Sequence, residues 1–452
     1  MAGPTQPDDL SGNPSKELLR RFLVTFFLGV VVFRLGSFIS IPGVDASVLR
    51  HMVSGSGDEG ALAQVIRFAD MFNGGAIQNA SIFGLGITPY ISASIILQLL
   101  TFSIPSLKAL QKEGESGRRK LNQYTRYMTL IICIVQSAVA SIALKNLHSD
   151  QGNQLVTWQD HPLLFTMQAS LVITTGSMLI LWIAEQITKF GIGNGVSVII
   201  MIGILASLQA AFRGEGGADA LPHYLGIACI SLAIIAGIVV VVQAVRRIHL
   251  EQQRRIQGNK VYGGAQTTLP LKLNQANVIP VIFASPIMAM LGLIAANLGK
   301  TSGVEGLFSY GQPLYRYIFA TLIIGFTYFY ISITFDLFDL SNHFKQAGFF
   351  IKGVKPGKNT VDYLSYHLKR ITFIGAIFLA VIAILPELLE SSMGLSGRGG
   401  RMLMGGTGLL IVVGVSLDIM QKVGAFFLAH QYRGLGGLGD DNTESRKSGK
   451  RF

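Results

Sequence analysis

Cysteine is nearly absent: the 452 residues hold two, Cys133 and Cys229. Each lies inside an apolar stretch and neither belongs to a paired motif, so no disulfide framework and no metal site is implied. Charge is scarce as well, 14% of residues against 50% hydrophobic. With a mean hydropathy of +0.47, a soluble enzyme is excluded. Ionisable residues are scarcer still within the apolar stretches themselves. Arg34 lies toward the outer end of the first, Glu185 at the inner end of the fourth and Asp418 toward the inner end of the tenth. Intramembrane ionisable groups normally mark proton and ion routes, and no chain of carboxylates crosses the midplane here. That argues against a proton-coupled transporter. The eight histidines fall in loops or at span ends, and several spans lack a serine placed for a histidine base, which disfavours an intramembrane protease. A phosphate-binding loop is missing too. In GVKPGKNT (353–360) only three residues separate Gly353 from Gly357, and Lys358 precedes Asn359 rather than Ser or Thr. The sequence implies no nucleotide site, no cofactor and no metal.

What is present is long apolar sequence. Ten stretches reach the roughly 20 residues that a bilayer core requires: 22–41, 80–103, 127–144, 163–183, 193–212, 224–245, 276–298, 317–335, 371–388 and 403–423. The expectation is an all-α membrane protein with ten transmembrane helices. Lysine and arginine orient it, because cytoplasmic loops carry the excess. With the N-terminus inside, most of the 37 Lys and Arg residues fall on the cytoplasmic face and both termini are cytoplasmic. The first fifteen residues are polar, with Asp8 and Asp9, and do not read as a cleavable signal. The net charge of +12 gathers on the inner face, where it would attract anionic lipid or an acidic or nucleic-acid-rich partner.

The chain divides into a tail (1–21), five spans (22–212), a Gly-rich hinge loop (213–223), five more spans (224–432) and a tail predicted to be disordered (433–452). Odd-numbered halves force inverted topology, a common plan for conducting membrane proteins. Two inside loops, 246–272 and 336–370, are too long for simple connectors. The first mixes Gly with alternating β-branched residues and predicts a protruding hairpin.

One segment stands apart. Leu62, Val65, Ile66, Ala69 and Phe72 share a helical face, in a helix too short to span and carrying Arg67 and Asp70. It ends at Gly74-Gly75, and the chain then runs apolar from Ala80 to Leu100 with Pro89 inside. Hydrocarbon tolerates such a break only where it packs on protein or lines a wet cavity, so something short folds into a pore or cavity. Elsewhere the spans offer aliphatic side chains near mid-depth: Ile87 and Ile91, Val196 and Ile200, Ile282, and Ile411. By pattern alone these are packing or lipid-facing positions. The i, i+4 pairs show only a shared helix face.

Four stretches carry a resemblance: GITPYISASIILQLL (86–100), KEGESGRRK (112–120), AEQITKFGIGNGVS (184–197) and LPLKLNQANVIPVIFAS (269–285). From about residue 18 to 432, in order, the chain resembles the bacterial SecY family, the central subunits of the Sec protein-conducting channel. The resemblance implies two inverted five-helix halves around an hourglass pore. Ile87, Ile91, Val196, Ile200, Ile282 and Ile411 match the apolar ring at its waist, with Val196 where the family often has Ile. Leu62, Val65, Ile66, Ala69 and Phe72 match the plug. Gln98 and Asn274 match polar positions on the lateral gate, the seam toward lipid, where buried amides would set the closing energy. The two long loops match docking sites for the SecA motor ATPase and the ribosome, implicating Arg254, Arg255, Lys260, Lys355 and Lys358. Lys355 stands where the family typically has Arg, and lysine lacks the planar fork. Residues 335–342 (FDLFDLSN) depart from the usual basic start of that loop. The resemblance also implies SecE and SecG subunits and unfolded polypeptides as partners, and a bacterial inner-membrane location. The competing reading is a secondary transporter with inverted repeats, which requires midplane polar groups.

Overall fold

The first apolar stretch begins as α1 (Pro14–Phe26), passes through a π-helical segment (Phe27–Val32) and closes with α2 (Phe33–Gly36). Such bulges cluster at functional sites, and this one packs tightly. A Cβ added at Gly29 would lie 2.6 Å from Ile202 Cδ1. The structure, a computed structural model, describes residues 14–54, 70, 72–146, 161–212, 221–252, 255–257, 260–262, 266–284, 287–288, 291, 312–393 and 406–448. The helices that follow are α3 (Ala46–Ser54), α4 (Thr88–Ser103), α5 (Pro105–Lys112), α6 (Glu115–Asn146), α7 (Pro162–Phe190), α8 (Gly195–Phe212), α9 (Leu221–Gln243), α10 (Pro313–Thr334), α11 (Leu337–Ala347), α12 (Lys358–Met393) and α13 (Gly406–Ser448). Residues 279–284 are also helical.

Every predicted stretch contains helical backbone among the described residues. By length and apolarity, five described helices can cross a bilayer: α6, α7, α10 with its continuation, α12 and α13. A sixth is α4 with α5, bent by 100° at their junction. The helices in α8 and α9 are shorter apolar pieces. Ten full-length spans are therefore not all displayed by the described residues.

Three details differ from the sequence expectation. Residues 74–80 and 82–87 are turns, Ser81 between them bridges to Ser40, and the second span starts at Thr88 rather than Ala80. Pro89 therefore opens the helix instead of interrupting it, the position where a missing N–H costs nothing. The last helix runs on to Ser448, through the Gly-rich segment whose composition predicts disorder, because extending an existing helix avoids the cost of nucleation. Finally, the two long loops form one unit. Strand β1 (Val245–Gln252) pairs antiparallel with β4 (Gln266–Lys272) as the predicted hairpin, tipped by β2 (Arg255–Gln257) and β3 (Lys260–Tyr262). The second loop adds β5 (Phe349–Ile351) to the other edge of β1. An edge strand's unpaired N–H and C=O groups invite this addition, and Ile248, Leu250, Leu271 and Ile351 bury their side chains with Leu364 and Ile371 of α12.

Two cores hold the bundle. One lies in the C-terminal half, around Ile238, Ile323, Leu379 and Leu410. The other crosses between halves. Phe33, Phe83, Ile180, Ile187, Ile199 and Ile200 from the first half pack with Ile411 and Val415 of α13. Between α6 and α7, Ser137 Oγ lies 2.8 Å from both Ser170 Oγ and Thr174 Oγ1, the small polar contact typical of helices packed in lipid.

Candidate functional site: the apolar waist and its plug root

The cluster between the halves contains all six aliphatic positions picked out in the sequence. Ile87 caps the N-terminus of α4 and is 6% exposed, Ile200 is 4% exposed and Ile411 1% exposed. Ile91, Val196 and Ile282 are partly buried against the same cluster. Four separate segments supply them: the start of α4, the first turns of α8, the helical turns at 279–284 and α13. Glycines bring α8 this close. Gly195 sits where a Cβ would fall 1.8 Å from the Ala184 carbonyl oxygen. Contact across the halves continues through Ser416 Oγ, 3.6 Å from Met201 Sδ. Tyr90 and Met201 pack against this cluster, but its buried members are aliphatic or phenylalanine. An ion entering here would shed its water and receive no replacement ligand, a cost far above thermal energy.

Phe72 packs on this cluster from the segment matched to the plug. Leu62, Val65, Ile66 and Ala69 lie outside the described residues. The root of that segment is held by a set of hydrogen bonds that sequence reading missed. Asp70 is 1% exposed, and its Oδ1 accepts from the Ile77 N–H at 2.7 Å. Arg34 Nη1 donates to the Gly74 carbonyl at 2.7 Å, and Ser207 Oγ to the Asp70 carbonyl at 3.4 Å. Asn73 Nδ2 donates to the Gly84 carbonyl at 2.9 Å. Backbone meets backbone where α8 passes: a Cβ on Gly203 would lie 2.2 Å from the Phe72 carbonyl oxygen. Gly74 there adopts φ +67°, a conformation few L residues take. Arg34, an isolated intramembrane charge in the sequence, thus holds the end of the segment matched to the plug. A signal existed, since such a charge implies a partner, but the partner is a carbonyl that no pattern names.

The two gate amides are not brought together. Pro89, Ala93, Leu97 and Thr101 form the buried four-residue stripe of α4, so Gln98 turns away and is exposed. Asn274 is 3% exposed, and its Nδ2 donates to the Asn277 carbonyl at 3.1 Å. Of the two amides matched to the gate seam, Asn274 is thus buried with a local partner and Gln98, expected to be buried, is exposed.

Of the loop residues matched to docking, Arg255 and Lys260 sit in the tip hairpin, opposite Tyr262 and Gln257; Arg254 lies outside the described residues. Lys355, in the turn between β5 and α12, and Lys358, the first residue of α12, are exposed. Thr360 Oγ1 donates to the Lys355 carbonyl and Ser341 Oγ to the Gly357 carbonyl, both at 3.1 Å, so the turn is built rather than loose. The unusual stretch 335–342 has a local purpose. Asp336 caps α11, accepting from the Phe338 and Asp339 N–H groups. It also lies 3.8 Å from Lys108 Nζ, and Asp339 lies 2.9 Å from Lys112 Nζ. These pairs tie α5 of the first half to α11 of the second. The matched spacing, Lys at i and i+4 against Asp at i and i+3, was visible in the sequence, but nothing there said the two would meet.

Comparison with known proteins places this arrangement. The SecY family model matches residues 81–420. The chain is 39% identical over 418 residues to the protein translocase subunit SecY of Thermotoga maritima, covering 92% of this chain and 94% of that one. To the same subunit of Escherichia coli K12 it is 41% identical over 428 residues, covering 92% and 93%. Among solved structures it is similar to a protein-conducting channel, with a TM-score of 0.63 at 17% identity over 95% of this chain and 96% of that one. It is similar also to Sec61 in the canine ribosome-channel complex, with a TM-score of 0.60 at 16% identity over the same shares. These structural likenesses concern the fold, and the sequence relatives settle the family: the chain belongs to the SecY family of protein translocase subunits.

Proposed function

We propose that the chain is a passive protein-conducting channel of a bacterial inner membrane, with both termini in the cytoplasm. It passes unfolded secretory polypeptides across the bilayer and releases apolar segments sideways into lipid. The observation that carries this reading is the convergence of Ile87, Ile91, Val196, Ile200, Ile282 and Ile411 in one apolar cluster between the two halves. A waist lined by side chains rather than fixed backbone can widen around any sequence and close again on itself. The segment ending at Phe72 would be the plug, seated on the waist from the outer side. The seam between α4–α6 and the 274–291 segment with α10 would be the lateral gate, with Gln98 and Asn274 on it. A passing segment would then partition by its own hydrophobicity, Leu favourably and Arg at a cost.

The joined sheet and the turn at Lys355 and Lys358 offer one docking surface for SecA or the ribosome. With no nucleotide motif in the sequence, those partners would supply the energy. SecE would clamp the halves, SecG would join them, and anionic lipid would be drawn to the basic inner face. The transporter alternative needs polar or charged groups at the waist, where this cluster is aliphatic.

The test is ion conductance of the reconstituted channel after Ile411→Asn. A polar group at the waist should raise the resting leak and relax the demand for a good signal sequence. Unchanged conductance with unchanged stringency would sink the ring assignment.

A further inference from the structure

Asp70 is a carboxylic acid sealed inside the plug root, and conducting a polypeptide gives it no task. It is 1% exposed. Its Oδ1 accepts from the Ile77 N–H at 2.7 Å, while its Oδ2 is buried without a hydrogen-bond partner. The backbone of the same residue is held from two sides. The Asp70 carbonyl accepts from the Gly75 N–H at 3.3 Å and from Ser207 Oγ at 3.4 Å. Among the described residues, the charged side chain that a neighbouring element bonds to this root is Arg34 of α2. Its Nη1 is engaged by the Gly74 carbonyl at 2.7 Å. The contribution of α8 is Ser207 and Gly203, and that of the turns is Asn73, Ile77 and Gln78, none of which titrates.

An ionised carboxylate with one oxygen that no donor reaches is far costlier to bury than a neutral carboxyl. Burial accordingly pushes the Asp70 carboxyl from the ordinary 3.8 up to about 6, against the opposing pull of the Ile77 and Gln78 amides. Displacing the segment would return the group to water and to its ordinary value. The seated root thus binds a proton more tightly than the displaced root. Acid therefore favours seating, and the advantage is lost as pH rises through the seated value.

We propose that Asp70 is a proton-binding site coupled to the seating of the plug, so that acid on the outer side tightens the closed channel. This rests on the plug and orientation argued above. Its use follows from chemistry, since a seal matters most when the outer compartment is acidic and protons are driven inward. The full-length chain, purified with its accompanying subunits, is placed in planar bilayers, and resting conductance is recorded from about pH 5 to about pH 8. Wild type should leak about tenfold less at about pH 5 than at about pH 7, and change little above that. The factor is the rise from 3.8 to about 6 carried into the balance of seated and displaced roots. Asp70→Asn, neutral throughout, should hold the low leak at every pH. Asp45→Asn, which removes an exposed carboxylate just before α3, should keep the wild-type profile. A signal peptide added at about pH 7 checks the channel reading separately. Opening by the peptide with a flat wild-type pH profile would overturn this proposal alone, and no opening would overturn both. A leaky Asp70→Asn channel, a pH profile retained in it, or a profile lost in Asp45→Asn would each overturn the proposal as well.

Discussion

Replacing Gly203 with Ala probes how the plug root is seated. The new Cβ would lie 2.2 Å from the Phe72 carbonyl oxygen and 3.0 Å from its carbon. Both are backbone atoms, so no rotamer change relieves the clash. An ordinary carbon–oxygen contact is about 3.3 Å, so the 72–74 backbone must retreat by about 1 Å. That movement strains two hydrogen bonds, Ser207 Oγ to the Asp70 carbonyl at 3.4 Å and Arg34 Nη1 to the Gly74 carbonyl at 2.7 Å. Overpacking of this kind costs about 1–3 kcal/mol. Alanine also favours the helix by up to about 1 kcal/mol, but it does so whether the root is seated or displaced, and drops out of that equilibrium. The displaced population should therefore rise about 5- to 150-fold. Single-channel conductance in planar bilayers reads this as frequent openings without substrate, and a reporter lacking a signal sequence reads it as export. Gly237→Ala is the control, because its Cβ meets nothing within 4 Å and it carries the helix effect alone. Resting conductance in Gly203→Ala equal to both wild type and the control, at normal protein levels, would refute the reasoning.

Other predictions follow from the same geometry. Ile91→Asn should raise resting leak less than Ile411→Asn, because Ile91 is only partly buried while Ile411 is 1% exposed; the reverse order in conductance would contradict the packing described. Asp339→Lys should loosen the link between α5 and α11, and Lys112→Glu with Asp339→Lys should restore it. Each exposed pair is worth about 0.2–1 kcal/mol, so the effect should show in export of a reporter with a weak signal sequence and fade at high salt. A double-variant phenotype equal to the sum of the singles would remove the link. Lys355→Glu should impair motor-driven export while leaving resting conductance alone, since Lys355 is exposed and lies away from the apolar cluster; normal export would place the contact elsewhere.

How far the sequence reached depends on what each signal measures. Apolar runs report the cost of exposing backbone in lipid, so the helical stretches were readable wherever they are described. Their starts were less so. Pro89 looks the same in a string whether it breaks a helix or begins one, and the turns ending at Gly86 decide it. The hairpin at 246–272 was legible from β-branched alternation, yet its third strand came from a loop almost a hundred residues away. Register between distant edges has no local code. Gln98 and Asn274 were both matched to polar positions on the gate seam, but a single 100° step around α4, set by the stripe through Leu97 and Thr101, left Gln98 exposed.

By itself the sequence determined that this chain lives in a membrane and lacks the midplane charges of a transporter, and its motifs carried the resemblance to channels of the SecY type. The first two follow from composition and period, which are local and additive; the third rests on the resemblance. Only the tertiary structure decided that Ile87, Ile200 and Ile411 share one cluster, that Arg34 and Gly203 meet the backbone at residues 72–74, and that Lys112 meets Asp339. These are contacts between segments far apart in the chain. They form because packed helices must match shape and charge at ångström scale, and such matching is a property of the assembled fold, which no single segment carries.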